Sequence, residues 1–343
     1  MMLELADNSL RAARRQAGLT QAELATRAGV SRQLIAAVES GHNTPAVDAA
    51  LRLARALGTT VESLFSSSTA EVVPALGRQL REGTPLRVGR VGDQLVAAEL
   101  PDHGVAGAAW ARPDGVIESG DLRLFPGASP AAFVLAGCDP ALGVAEAMLH
   151  GLGSRSLLAL PAATGVALGG LKAGRIHAAV VHGRDGELPV APLPVVRVHF
   201  ARWQVGIGHP PGLRVGDLEA LLGRGVPIVQ REAAASSQQA FRRAAAGLGL
   251  SEPPASPLAE GHIDAARMAA MLGCAAVTTE SAARAFDLGF VALEGHTVEI
   301  WVAERWVEHP ALDALGDVLS SAAFTDRIGR FGGYELAGCG SRV

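Results

Sequence analysis

The stretch TQAELATRAGVSRQLIAAVESG, residues 20–41, decides the fold of the N-terminal region. Thr20 followed by Glu23 forms a capping box, which predicts that a helix begins here. Ser31 is a candidate N-cap for a second helix, and Gly29 permits the tight turn between the two. Apolar residues recur at helical spacing in both segments, so the pattern predicts two short helices that pack across each other.

Helical spacing extends on both sides of this stretch, over residues 9–65, and predicts five helices in all. The second helix of the pair presents Arg32, Gln33 and Ala37 from its first turns. Arg, Gln and small apolar side chains match the edges of bases, so this helix is a candidate reader of the major groove. Gln21 stands at the N-terminus of the preceding helix, where backbone N–H groups and a side-chain amide can hold a phosphate.

Residues 9–65 resemble the Cro/repressor-like helix-turn-helix family, often called XRE. The resemblance rests on LRAARRQAGLTQAELATRAGVSRQLIAAVESG, on NTPAVDAALRLARALG after it, and on the closing TVESLF. It implies an all-α, five-helix, lambda-repressor-like domain that binds double-stranded DNA. The predicted DNA-binding residues are Gln21, Arg27, Arg32, Gln33, Ala37 and Asn43. A helical bundle used only for protein contacts remains the alternative.

The small net charge of the N-terminal region limits how tightly a single copy is expected to bind DNA. Residues 1–66 hold seven arginines against six acidic residues, so a single copy is expected to bind DNA weakly at physiological salt. Dimers of such readers bind two half-sites about one helical turn apart, which raises affinity. We therefore expect a homodimer.

Composition places the whole chain among ordinary globular proteins. It has 343 residues, of which 49% are hydrophobic and 19% charged, and a formal net charge of −4. Its three cysteines are widely separated, which favours reduced thiols. The N-terminus lacks the apolar segment of a signal peptide, and the longest apolar run is too broken to span a bilayer. We expect a cytoplasmic protein without a membrane partner.

The pattern changes twice along the chain. The run SSST at 66–69 is typical of a linker, and short alternating runs over residues 84–125 predict a small antiparallel β unit. Strands that alternate with helices then predict an α/β domain with a mostly parallel sheet. The predicted domains are a helix-turn-helix domain at 1–66, a linker and β unit at 67–128, and a ligand-binding domain at 129–343.

Polar residues cluster where the predicted strands lead into helices. In a parallel α/β sheet, ligands bind beyond the carboxyl ends of the strands, where helix N-termini offer free N–H groups. Such a group of backbone amides, hydroxyls and one guanidinium suits a small polar or anionic molecule. The predicted ligand-binding residues are Asp139, Thr164, Arg231, Ser236, Ser237, Thr278 and Glu280.

Residues 130–335 are similar to the type 2 periplasmic-binding-protein fold, in particular to cytoplasmic versions fused behind helix-turn-helix domains. The resemblance rests on AGCDPALG, LPAATGVALGGLKAGRIHAAVVHG, HFARWQVGIG, VPIVQREAAASSQQAFRRA and CAAVTTESAARAFDLGFVAL. It implies two lobes around a cleft, the first from about 130–195 plus 296–335 and the second between these segments. The expected fold class is therefore multidomain: a helical DNA-binding domain, a small antiparallel β unit and a two-lobed α/β domain.

The identity of the effector stays open between classes. AATGVALGGLKAG looks most like the segment that molybdate-binding proteins use, so molybdate or another oxyanion is one candidate. Carboxylates at the predicted rim would repel a doubly charged oxyanion, which favours a small organic anion or zwitterion. Thr164 and Ser236 could instead serve only as helix caps, and Arg231 could form a salt bridge between the lobes.

The sequence carries no catalytic motif and no His or Cys cluster with metal-ligand spacing, so we expect neither an enzyme nor a metal or cofactor site. The leading hypothesis is a ligand-responsive transcription regulator that binds its operator as a dimer. The alternative is a DNA-binding protein whose C-terminal domain has lost its ligand and serves oligomerisation or protein contacts. AAASSQQ supports that alternative, because relatives often carry a Gly-Ser-Gly-Thr-Arg loop there.

Overall fold

The structure, a computed structural model, describes residues 9–40, 43–65, 72–100, 113–125, 128–250 and 258–343. Contacts divide the chain into two compact units. The first unit comprises residues 1–72, 80–88 and 99–130, and the second comprises 73–79, 89–98 and 131–343. The linker expected at 66–69 lies outside the described residues. Within the described parts, no helix combines the length and apolar character needed to cross a membrane.

The described residues 9–40 and 43–65 form five helices in succession. They are α1 Ser9–Gln16, α2 Gln21–Ala28, α3 Arg32–Glu39, α4 Val47–Leu57 and α5 Val61–Phe65. Thr20 and Glu23 form the reciprocal capping box that opens α2, and Ser31 Oγ accepts the Leu34 N–H at the start of α3. Gly29 ends α2 with a φ of 63°, a left-handed conformation that glycine adopts without strain. The helix starts predicted from the caps are confirmed.

Each of the helices α1 to α4 contributes at least one residue to their shared hydrophobic core. Leu10, Leu24, Ile35, Val38 and Leu53 are all at most 2% exposed and belong to a single hydrophobic cluster. Burial of such side chains supplies most of the stability of short helices, which are marginal alone. The apolar spacing in the sequence therefore fixes how α3 crosses α2.

A small sheet follows in the chain. Its strands are β1 Val72–Pro74, β2 Pro85–Val91, β3 Gln94–Glu99, β4 Gly115–Glu118 and β5 Asp121–Leu124. The strand order is β1-β3-β2-β4-β5. Ser119 and Gly120, with φ of 57° and 87°, join β4 to β5, as a type I′ hairpin requires. The small antiparallel β unit is confirmed.

Within the described parts of the chain, the second sheet has nine strands, and its spatial order is β11-β10-β12-β9-β13-β8-β6-β7, with β14 paired to β9. The strands are β6 Phe133–Gly137, β7 Leu157–Pro161, β8 Ala178–Arg184, β9 Val195–His209, β10 Ile228–Arg231, β11 Leu258–Ala259, β12 Ala275–Thr279, β13 Gly289–Ala303 and β14 Tyr334–Glu335. The flanking strands pair in parallel, but β9 and β13 run antiparallel to each other and to their neighbours. The expectation of a mostly parallel sheet therefore holds only within each lobe, because the chain enters the second lobe along β9 and returns along β13.

Two lobes share these long strands. Residues 205–208 of β9 pair with β12 in lobe two, whereas residues 296–302 of β13 pair with β8 in lobe one. Helices cover both faces of each lobe, in separate hydrophobic clusters. They are α6 Leu142–Leu149, α7 Thr164–Lys172, α8 Leu218–Gly223, α9 Ser236–Gly247, α10 His262–Leu272, α11 Glu280–Ala285, α12 Pro310–Ser320 and α13 Ala322–Gly329. The two-lobed α/β architecture is confirmed.

Candidate functional site

The sequence predicts that the start of α3 contacts bases, and this part of the helix is exposed. Arg32 and Gln33 are exposed in its first turn, and Ala37 is half-buried one turn further on. Arg27 is exposed in the last turn of α2, and Asn43 is exposed in the loop after α3. Side chains of these types at the start of a helix can reach base edges and phosphates.

Gln21 has a partner that the sequence did not reveal. Its Nε2 donates to Oε2 of Glu39 at 2.9 Å, across from α2 to the end of α3. Glu39 is only 3% exposed and also receives a bidentate pair of hydrogen bonds from Arg14, at 2.6 and 3.0 Å. Arg11 adds an ion pair at 3.6 Å. The Glu39 carboxylate therefore fixes the side chain of Gln21 at the N-terminus of α2.

Two opposing effects act on the pKa of the Glu39 carboxyl. Burial alone would raise the pKa of the Glu39 carboxyl, but the hydrogen bonds from Arg14 and Gln21 and the charges of Arg14 and Arg11 outweigh it. The pKa of Glu39 is consequently held below its ordinary value, and the group stays ionised at neutral pH. A buried carboxylate with all these partners is a structural support rather than a binding group.

In the second unit, polar residues from the two lobes lie close together. Cys138 and Asp139 follow β6 and precede α6, and His182 lies on β8, all three in lobe one. Arg231 ends β10 and His262 begins α10, in lobe two. One ligand atom from each of Cys138, His182 and His262 lies within 4.8 Å of the other two. The topology thus gathers residues that are far apart in sequence.

Asp139 is nearly enclosed, at 4% exposure. Its Oδ1 accepts hydrogen bonds from the Ala141 N–H at 2.7 Å and from the Tyr334 hydroxyl at 2.8 Å. Its Oδ2 is buried without a hydrogen-bond partner among the described residues. Burial raises the pKa of Asp139 to about 7, so the carboxyl can accept or donate a proton near neutral pH.

His182 belongs to a chain of hydrogen bonds that sets its tautomer. Glu294 Oε1 lies 2.7 Å from Nε2 of His296, and Nδ1 of His296 lies 2.9 Å from Nδ1 of His182. A carboxylate only accepts, so His296 donates to Glu294 and accepts from His182. Burial lowers the pKa of His182 well below its ordinary value, which keeps the ring neutral. Its Nε2 is therefore left with a lone pair.

Arg231 is buried, at 2% exposure, and held entirely by lobe two. Its guanidinium donates to the carbonyl oxygens of Ala259 at 3.1 Å and Glu260 at 3.3 Å, and Nη1 lies 3.4 Å from Nδ1 of His262. Glu232 lies 3.6 Å away. Among the described residues, Arg231 forms no salt bridge between the lobes, the alternative that the sequence left open, because these partners belong to its own lobe.

Further polar groups belong to this cluster or adjoin it. Ser236 Oγ donates to the His182 carbonyl at 3.3 Å, a contact between the lobes. The ring of Trp203 lies 5.3 Å from that of His182. Trp203 Nε1, Ser237 Oγ and His262 Nε2 are each buried without a hydrogen-bond partner in the described parts of the chain.

The sequence-predicted ligand residues thus fall into two groups. Contacts join Arg231, Ser236 and Thr278 to this cluster or to its backbone, the last through a 2.8 Å hydrogen bond from Thr278 Oγ1 to the His262 carbonyl. Asp139 follows Cys138 directly and accepts from Tyr334, whose ring lies 6.2 Å from that of Trp203. Ser237 lies beside Ser236 at the start of α9.

The contacts of Thr164 and Glu280 differ from those of the first group. Glu280 pairs with Arg284 on its own helix at 2.6 Å. Thr164 is the first residue of α7, where Ala163 is the N-cap, so the hydroxyl makes no capping bond; its Oγ1 is buried and has no partner within the described residues. Its side chain thus neither caps α7 nor joins the cluster by a hydrogen bond.

The residues predicted from the sequence to bind a ligand do not include three members of this cluster, His182, Trp203 and His262. No local spacing connects them, because they lie on β8, β9 and α10. Their meeting depends on how the two lobes share β9 and β13.

A family model described as a PBP superfamily domain matches residues 146–320, about half of the chain. The chain belongs to this superfamily. A second model, described as helix-turn-helix, matches residues 10–64. The protein is accordingly a helix-turn-helix domain of the XRE type followed by a PBP-like domain.

Relatives of known sequence match the N-terminal part. An uncharacterised HTH-type transcriptional regulator of Methanothermobacter thermautotrophicus is 49% identical over 57 residues, which are 16% of this chain and 83% of that protein. A second such regulator, from Methanocaldococcus jannaschii, is 40% identical over 58 residues, 17% of this chain and 88% of that protein. Among solved structures, an ABC-type phosphate transport receptor from Vibrio cholerae aligns over 59% of this chain and 98% of its own, with 12% identity and a TM-score of 0.42.

Proposed function

We propose that this PBP-superfamily protein is a cytoplasmic, non-catalytic transcription regulator in which a small anionic or zwitterionic molecule, bound between the lobes, modulates operator binding by a homodimer. The observation that carries the proposal is a set of buried polar atoms without partners on residues that belong to this cluster or adjoin it. Asp139 Oδ2, Trp203 Nε1, Ser237 Oγ and His262 Nε2 all lack hydrogen-bond partners among the described residues. Asp139 follows Cys138, Ser237 follows Ser236, and the ring of Trp203 lies 5.3 Å from that of His182. Each such group costs about 1–3 kcal/mol, so four of them on residues from both lobes favour a binding role over a structural one.

The chemistry of these groups supports an anion or a zwitterion. Arg231 supplies a fixed positive charge, and the Trp203 N–H and the Ser237 hydroxyl are hydrogen-bond donors. Asp139, with a pKa of about 7, can accept from an ammonium group or donate to an oxyanion. Molybdate, organic acids and amino acids are therefore all suitable candidate ligands to test.

For a ligand to change DNA binding, the two lobes must have two arrangements, and the ligand must bind one of them more tightly than the other. A ligand that contacts both lobes favours the closed arrangement, and it shifts the equilibrium only by its differential affinity for the two states. A tenfold change in DNA affinity requires about 1.4 kcal/mol of coupling. The hydrogen bond from Ser236 to the His182 carbonyl is one contact that depends on closure.

The DNA-binding side of the proposal rests on the exposed start of α3. Arg32, Gln33 and Ala37 would face base edges, and Gln21, held by Glu39, would face a phosphate. Arg27 and Asn43 would add contacts to the DNA backbone. Two copies would bind two half-sites about one helical turn apart.

The effector part is tested by thermal unfolding of the full chain with phosphate, sulfate, molybdate, succinate and glycine as probes. A probe at a hundred times its dissociation constant is expected to stabilise the protein by about 2.7 kcal/mol. Arg231→Gln should remove the shift, and Arg184→Gln, which changes an exposed arginine paired with Glu187, should retain it. Native mass spectrometry of the purified protein extends the test to molecules that it retains. An empty protein that no probe stabilises would favour the alternative of a lost ligand.

The DNA part is tested by selection from randomised duplexes with the full-length protein. A two-half-site consensus is expected, and Arg32→Ala with Gln33→Ala should abolish it. Arg55→Ala removes an exposed arginine from α4 and serves as the matched control. If the double variant selects the same consensus with the same affinity, α3 is not the recognition helix.

A further inference from the structure

The group formed by Cys138, His182 and His262 has the composition of a metal site. One thiol sulfur and two imidazole nitrogens are ligands that Zn²⁺ and chemically similar ions prefer. Around a tetrahedral Zn²⁺ such ligand atoms are separated by about 3.3–3.6 Å. The three atoms here all lie within 4.8 Å of one another, so a movement of about 1 Å brings them to bonding positions.

The two histidines offer nitrogen atoms suited to this role. The relay from Glu294 through His296 to Nδ1 of His182 leaves Nε2 of His182 with its lone pair. Metal-bound histidines usually donate their other N–H in this way, and the partner orients the ring. Nε2 of His262, a residue 1% exposed, is buried without a hydrogen-bond partner among the residues described.

Arg231 is the group that opposes a cation here, and its geometry limits the effect. Its Nη1 lies 3.4 Å from Nδ1 of His262, at the limit of a hydrogen bond, while its firm contact is with the Ala259 carbonyl at 3.1 Å. Moving the proton of His262 to Nδ1 breaks this weak interaction and frees Nε2. Nδ1 and Nη1 are then both donors, so the ring must turn slightly away from Arg231 as the ion binds. Cys138 loses its thiol proton when it binds a metal, and the negative charge of the resulting thiolate offsets part of the added charge.

We propose that Cys138, His182 and His262 bind a Zn²⁺-like ion that joins the two lobes. Cys138 and His182 belong to lobe one and His262 to lobe two, so the ion draws the lobes together. Three protein ligands leave a fourth position for water or an exogenous donor. This inference deepens the proposed function and rests on it in one respect: the anionic group of the effector would take that fourth position, next to Arg231.

The test uses the full chain, freed of metal with a chelator and titrated with Co²⁺ and Zn²⁺ alone. Co²⁺ is expected to bind one ion per chain with thiolate-to-cobalt charge-transfer absorption and the visible bands of a tetrahedral site. Cys138→Ser should remove the charge-transfer band, and His262→Gln should weaken binding by more than 100-fold. Changing His296, which only orients a ligand, to Gln should weaken binding by about 10–100-fold. His150→Asn, at an exposed histidine, and Cys274→Ser, at a buried cysteine elsewhere, should leave it unchanged.

X-ray absorption of the Zn²⁺-loaded wild-type chain provides a measurement that needs no variant to fold. One sulfur and two imidazoles are expected among the ligands. A spectrum with only oxygen and nitrogen ligands, or a chain that retains no ion after dialysis, would overturn the metal site. Failure of the metal test with an intact response to an anionic probe leaves the proposed function standing. A confirmed metal site with operator binding that no probe alters would instead refute the proposed function alone.

Discussion

Two buried polar clusters of this protein differ in how completely they are paired. In the helix-turn-helix region, Glu39 is surrounded by Arg14, Arg11 and Gln21, and each carboxylate oxygen has a donor. In the PBP-like domain, Asp139 and His262 each retain a buried atom without a partner among the described residues. A buried charge with its partners in place serves the fold, whereas buried groups that lack them point to a molecule from outside.

The difference also separates what each cluster can do. Glu39 holds Gln21 in one position, and the start of α3 stays exposed. The cluster around His182 combines donors and acceptors from both lobes, so whatever binds there is expected to link them. The comparison leads to three predictions, ordered by expected size.

The largest effect is expected for Glu39→Ala. Removing one member of a buried ion pair leaves uncompensated charge, so the helix-turn-helix region should lose about 3 kcal/mol of stability. Hydrogen exchange of the amides in α2 and α3 measures this loss. Asp48→Ala, which breaks an exposed ion pair with Arg52 at 2.8 Å, should cost less than about 1 kcal/mol. Equal losses in the two variants would contradict the structural role of Glu39.

A smaller effect is expected from acid. The pKa of Glu39 is lowered from its ordinary value of 4.5, so its stabilising contribution is complete above pH 4.5 and is lost as the pH falls through the lower, folded-state pKa. The stability difference between wild type and Glu39→Gln, measured by the same hydrogen exchange, should therefore shrink on acidification below about pH 4.5. A difference that stays constant down to full protonation would show that the charge of Glu39 does not matter.

The smallest effect contrasts two serines. Ser31 Oγ caps α3 by accepting the Leu34 N–H at 3.1 Å, so Ser31→Ala should cost about 1 kcal/mol. Ser237 Oγ has no partner among the described residues, so Ser237→Ala should change stability by less than about 0.5 kcal/mol, or raise it. Urea unfolding of the full chain measures both. A loss at Ser237 as large as that at Ser31 would mean that its hydroxyl already has a structural partner.

Much of the fold could be read from the sequence because its signals are local. The capping box of Thr20 and Glu23, the cap at Ser31 and the turn at Gly29 each involve residues at most three positions apart. The helical spacing of apolar residues predicted that the two helices pack across each other, and Leu24, Ile35 and Val38 on them are buried. Strand ends followed by helix starts likewise directed attention to Asp139, Arg231 and Ser236.

The tertiary structure alone decided which of those polar residues meet and what joins them. Cys138 follows β6, His182 lies on β8 and His262 begins α10, and the sharing of β9 and β13 by two lobes brings them together. The pairing of Gln21 with Glu39 depends in the same way on the crossing of α2 and α3. The sequence by itself thus determined the elements and their caps, because these depend on neighbours in the chain. The site was decided by packing, because its contacts are long-range.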